Sequence, residues 1–204
     1  MSVGGKTMKR MVPAVIVAAM GLAVLWQATD GLAAFTTEAA RRLKVEHHPV
    51  HIADVDLTDY SGRRITLPDG KLTLVEFIYT TCPTICQAAG DNFLQLRKRL
   101  QAASNADQIR MLSVSFDPIR DDNDQLAGYA SLHGADGHIW TVARPRADAV
   151  PGLLKTFGIT VIPDEFGGFQ HNTAIHIVDR NGHLVAIVDT DDIERAAQIA
   201  ESLL

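Results

Sequence analysis

The feature that most constrains this chain is an apolar run, Leu72 to Tyr79, followed at once by Cys82-Pro83-Thr84-Ile85-Cys86 and then by a helical repeat. The run carries Val, Phe, Ile and Tyr between Asp69-Gly70 and Pro83, which is the pattern of a central strand. Phe93, Leu94, Leu96 and Leu100 then recur at helical spacing to Ala102. A strand feeding a helix, with reactive side chains at the junction, is an α/β signature. Cys82 and Cys86 are four apart, so on a helix their sulfurs project from one face, one turn apart. A helix N-terminus favours thiolate, which is both a nucleophile and a metal ligand. Dithiol exchange and soft-metal binding therefore both fit. A structural staple fits less well, because closing a loop of three residues removes little chain entropy.

The remaining pattern places this junction in a larger fold. Ala53 to Leu67 reads as a hairpin about Tyr60-Ser61-Gly62-Arg63, and Ile109 to Phe116 as a second apolar strand ending at Asp117-Pro118. The acidic stretch Asp121 to Asp124 predicts a cap for a helix running to about Leu132. A short strand at Ile139 to Val142 and a helix from Val150 to Phe157, stopped by Gly158, come next. Thr173 to Asp179 and Leu184 to Val188 read as strands around Arg180-Asn181-Gly182, and a last helix runs from Asp192 to Leu203. This order predicts a thioredoxin-like α/β domain over residues 50–204: a central mixed sheet flanked by helices, with an N-terminal hairpin and an insertion.

Residues 1–34 read as a signal anchor or signal peptide, and 35–49 as a spacer. Lys6, Lys9 and Arg10 precede an apolar run from Met11 to Trp26, so the basic end stays cytoplasmic and the rest is exported. Gly31 and Ala33 form a small-residue cleavage pair, while Trp26 sits where an interfacial anchor belongs. The expected location is the periplasmic face of the inner membrane, held there by the N-terminal segment. From Phe35 onward 16 basic side chains face 23 acidic ones, a balance of −7. Such a surface is a poor match for nucleic acid, whose phosphates demand Lys and Arg.

Three details favour metal over dithiol exchange at the cysteine pair. Three residues separate the cysteines, where thioredoxin-type exchange uses two. The residues just before Thr173, Phe169-Gln170-His171-Asn172, include no proline, although oxidoreductases of this fold carry a cis-proline there. The same place offers His171 instead. Two thiolates and an imidazole make a soft site suited to Cu(I), and able to hold Cu(II) with one more ligand. The alternative function is a thiol-disulfide oxidoreductase or redox sensor using Cys82 and Cys86. His47, His48 and His51 read as a solvated linker, with a copper-acquiring or fourth-ligand arm as the sharper reading. His176 reads as a strand position, and His133, His138 and His183 as turn neighbours.

The segments Leu74-Val75-Glu76-Phe77-Ile78-Tyr79-Thr80-Thr81-Cys82-Pro83-Thr84-Ile85-Cys86 and Ser113-Val114-Ser115-Phe116-Asp117-Pro118, with His171 before the last hairpin, resemble the Sco/SenC family of exported copper chaperones. The resemblance implies that Cys82, Cys86 and His171 are copper ligands, that Asp117 supports the site, and that the cargo is Cu(I) or Cu(II). It implies delivery of copper to, or thiol reduction of, the copper centre of cytochrome c oxidase. The partners would be an oxidase subunit or another exported copper protein, together with a thiol reductase. Gln87 departs from the proline usual after the second cysteine, and Phe169-Gln170 from the Val-Asp that often precedes the histidine.

Overall fold

The computed structural model describes residues 4–29, 36–82, 85–101 and 106–204, with side chains from Ile16 onward except those of Ile85 and Cys86. The chain divides into two compact units, Met1–Lys44 and Val45–Leu204. The first holds α1 (Gly4–Ala28) and most of α2 (Thr37–His47), where Glu38 pairs with Arg41 and Arg42 one turn away. Among the described residues no helix is long and apolar enough to cross a membrane. The run Met11 to Trp26 lies partly outside the described side chains, and Gly31 and Ala33 lie outside the described residues altogether.

The second unit opens inside the predicted spacer. Val45, in the last turn of α2, is buried in its core, and the Glu46 carboxylate accepts from Arg195 at 2.9 Å. There follow β1 (Val50–His51), β2 (Val55–Asp59), β3 (Arg64–Leu67), β4 (Leu72–Ile78), α3 (Ile85–Gln101), β5 (Ile109–Ser115), α4 (Asn123–His133) and β6 (Trp140–Pro145). The chain ends with α5 (Val150–Phe157), β7 (Val161–Pro163), β8 (Phe169–His171), β9 (Ile175–Val178), β10 (His183–Val188) and α6 (Ile193–Ser202). Eight strands form one mixed sheet in the order β1-β10-β9-β4-β5-β6-β2-β3, and β7 and β8 form a separate antiparallel ribbon. β4, β5 and β6 run parallel through the crossover helices α3 and α4, and their neighbours are antiparallel.

Every residue of β4 is buried because helices cover both sheet faces. Val75 and Phe77 face Leu153 and Phe157 of α5, whereas Leu72, Leu74 and Ile78 face α3, α4 and the alanines of α6. His176 falls on the α5 face, fully buried between the rings of Phe77 and Phe157, with Nδ1 3.3 Å from the Val75 carbonyl. It is a core residue, as its place in an apolar strand predicts.

Local signals account for most element ends. Gly158 closes α5 in the left-handed region, φ 66°, where a side chain would be strained. The predicted acidic cap resolves into one residue: Asp122 accepts from the amides of Asp124 and Gln125, while Asp121 is turned inward. The ribbon β7–β8 is the insertion, and its two three-residue strands are too short for a periodic signal. It places His171 on a strand rather than in a loop.

Candidate metal centre

The centre is built where β4 ends. Tyr79 follows that strand and turns the chain, its carbonyl accepting from the Cys82 amide at 3.3 Å. Cys82 is buried against the apolar cluster that contains Tyr79 and Phe116. Cys86 is the second residue of α3, so its backbone lies in the first helical turn, where the oriented N–H groups favour thiolate. Its sulfur, with Pro83 and Thr84, lies outside the described residues.

His171 arrives from the other side of the fold. It ends β8, paired with Val161 of β7, and its ring packs edge-on to Phe116 at 4.9 Å and to Tyr79 at 6.2 Å between centroids. The Tyr79 hydroxyl fixes this approach, donating to the Phe169 carbonyl at 3.0 Å while accepting from the Phe169 amide at 3.3 Å. Tyr79 and Phe116 thus bring the Cys82 turn and His171 onto one aromatic platform. Where a cis-proline would stand, Asn172 ties the ribbon down instead, accepting from the Thr160 amide at 2.7 Å and donating to the Gly158 carbonyl at 3.1 Å. Burial holds the His171 imidazole below its usual value, opposed by a backbone hydrogen bond at Asn172. The ring is therefore neutral at pH 7, the form that offers a lone pair to a metal.

Asp117 is buried just after the end of β5. It pairs with Arg120, whose guanidinium also donates to the Gly167 carbonyl and lies 4.8 Å from the centre of the Phe169 ring. Asp117 therefore acts on the histidine ribbon through an arginine. Asp121, missing from the sequence-based site, is the residue that secures the cysteine turn. Fully buried, it accepts from Thr80 Oγ1 at 2.6 Å, the Thr80 amide at 3.1 Å and Ser115 Oγ at 2.5 Å. The sequence offered three acidic residues in a row of four, Asp121, Asp122 and Asp124, and no local cue to which one turns inward.

Tyr79, Thr81, Arg120, Asp164, Phe166, Gly167 and Gly168 line an open cleft of about 450 Å³ beside the cysteine turn. Phe166, at the tip of the ribbon, is 96 % exposed. Among the described residues no group of three or more His, Cys, Asp or Glu side chains is gathered to hold a metal, and that set lacks the Cys86 sulfur. The donor types at this place, one buried thiol, a second cysteine at a helix start and a neutral imidazole, fit a soft cation.

The likeness to known proteins runs through the same domain. The SCO1 protein homolog of Bacillus subtilis (strain 168) is 27% identical over 129 residues, 61% of this chain and 66% of that relative, so the match leaves a third of the relative's length uncovered. The structure of Bradyrhizobium japonicum ScoI with copper bound superposes with a TM-score of 0.62 at 23% identity, covering 76% of this chain and 99% of that one. BsSco, described as a member of the Sco family of cytochrome c oxidase assembly proteins and as containing a disulfide switch, gives a TM-score of 0.66 at 20% identity over 76% of this chain and 94% of its own. The SCO1/SenC family model matches residues 46–204, the whole of the second unit but its first residue. The chain belongs to the SCO1/SenC family.

Proposed function

We propose that this protein carries copper, held by Cys82, Cys86 and His171, and delivers it during assembly of the copper centre of cytochrome c oxidase. The observation that carries this reading is the aromatic platform of Tyr79 and Phe116, on which the Cys82 turn and a neutral, half-buried His171 meet. Two thiolates and one imidazole suit Cu(I), whose release is open to control by the redox state of the cysteines, since only the reduced pair ligates. The copper bound to the Bradyrhizobium protein and the oxidase-assembly role of the family to which BsSco belongs support the cargo and the client. Phe166 and the cleft below it give the client an apolar foothold beside the cysteines. The basic start of α1 supports an exported, membrane-held domain.

The test is copper binding to the full chain in detergent, followed by electron paramagnetic resonance and by competition with a Cu(I) chelator. One copper per chain is expected, with affinity reduced at least about tenfold in His171→Ala, as loss of an inner ligand should exceed the effect of losing its support. Unchanged tight binding in that variant would remove His171 from the ligand set. Phe166→Asp should leave copper affinity intact and slow transfer to an oxidase copper domain.

A further inference from the structure

We infer that the domain carries a second metal site, remote from the cysteines, in which His51 and His183 bind a late first-row divalent cation, with Zn²⁺ the best geometric match. The two histidines are direct partners across the antiparallel pair β1–β10, so their side chains leave the sheet on the same face. Their ring centroids are 5.3 Å apart and the planes are inclined at 55°, so the rings are tilted against each other rather than stacked. With metal–nitrogen bonds of about 2.1 Å, imidazoles at this separation subtend roughly 110° at a shared ion, the angle zinc prefers.

A third residue sets the ligating nitrogen. Asp179 Oδ1 lies 3.6 Å from His183 Nδ1, and that carboxylate is itself held in place by the amides of Asn181 and His183. A proton on Nδ1 then faces a carboxylate, which leaves Nε2 as the metal donor, the arrangement found where carboxylates stand behind ligating histidines. His51 is exposed and the His183 side chain is 39 % accessible, so an ion reaches them from solvent. Two tetrahedral positions remain for water.

This corner lies beside Val178, opposite the first residues of β4, while Cys82 follows the last. Seven strand residues at about 3.3 Å each put roughly 20 Å between the two places. His51 is therefore no fourth ligand for the cysteine centre. His51 and His183 form a separate site.

The experiment uses the full chain in detergent with Cys82→Ser and Cys86→Ser, titrated with Zn²⁺ by calorimetry, with circular dichroism to check folding. One equivalent is expected, lost on adding either His51→Ala or His183→Ala and weakened about 10–100-fold by Asp179→Asn, which keeps the acceptor that holds the turn. Retention of the zinc equivalent in both histidine variants, absence of zinc binding in the parent, or equal loss in His138→Ala would overturn the site. Because the cysteines are absent, this outcome is independent of the copper reading.

Discussion

Glu76 shows how a single buried side chain ties stability to pH. It sits in β4 with Ser113 Oγ donating to Oε1 at 2.5 Å and the Tyr129 hydroxyl at 3.4 Å, while Ser113 accepts from Trp140 Nε1 at 2.8 Å. Oε2 is buried and has no hydrogen-bond partner among the described residues. Burial pushes the carboxyl up to about 7 from an ordinary 4.5, against the pull of the Ser113 and Tyr129 bonds. The folded state thus holds the proton more tightly than the unfolded chain does. The stability that this proton contributes is fully present below about 4.5 and is lost as pH rises through about 7. Glu76→Gln, permanently neutral, should gain on wild type by a few kcal/mol between pH 5 and pH 8, on the order of 1.4 kcal/mol per unit of pKa shift. Urea denaturation at both pH values reads the difference, and parallel pH profiles would show that Glu76 does not titrate in this range. The sequence marks Glu76 as a charged residue inside an apolar strand, but its ionisation depends on neighbours 37 and 53 residues away.

Elements meet here through two close fits. In α3, Gly90 lies against the buried ring of His133 in α4, and a Cβ at that position would come within 2.7 Å of the ring atoms Cε1 and Nδ1. Gly90→Ala should therefore overpack the α3–α4 contact at a cost of about 1–3 kcal/mol, more than the ~1 kcal/mol of helix propensity gained. A rise in melting temperature would contradict that packing. The second fit is the Asp121 link between the turn after β4 and the loop after β5. Asp121→Ala leaves Thr80 and Ser115 without their acceptor inside the protein, which should cost about 3 kcal/mol and weaken copper binding together. Loss of stability with unaltered copper affinity would show that the cysteine turn does not depend on this link. His133 was legible only as a turn neighbour, because helical spacing alone does not reveal that a glycine on another helix makes room for it.

At the scale of the whole molecule, the core of the second unit is complete from Val45 onward. A protein truncated to residues 45–204 should unfold in one cooperative transition, within a few degrees of the corresponding transition of the full chain, as followed by circular dichroism. A noncooperative melt would mean that the first 44 residues are needed for folding. The sequence by itself determined the features that are written locally. These are the strand Leu72–Ile78, the helix that starts at the second cysteine, the Asn181-Gly182 turn, the stop at Gly158, and hence the α/β order and the position of the cysteines. Periodicity, caps and turn residues act over a few positions, so they can be read from neighbours. Only the tertiary structure decided that Tyr79 and Phe116 receive His171, that Asp121 and not Asp122 turns inward, and that His51 meets His183 at the far end of the sheet. Each of these depends on pairings between residues from about 40 to 130 positions apart, and chain closure over such distances leaves no periodic trace in the sequence.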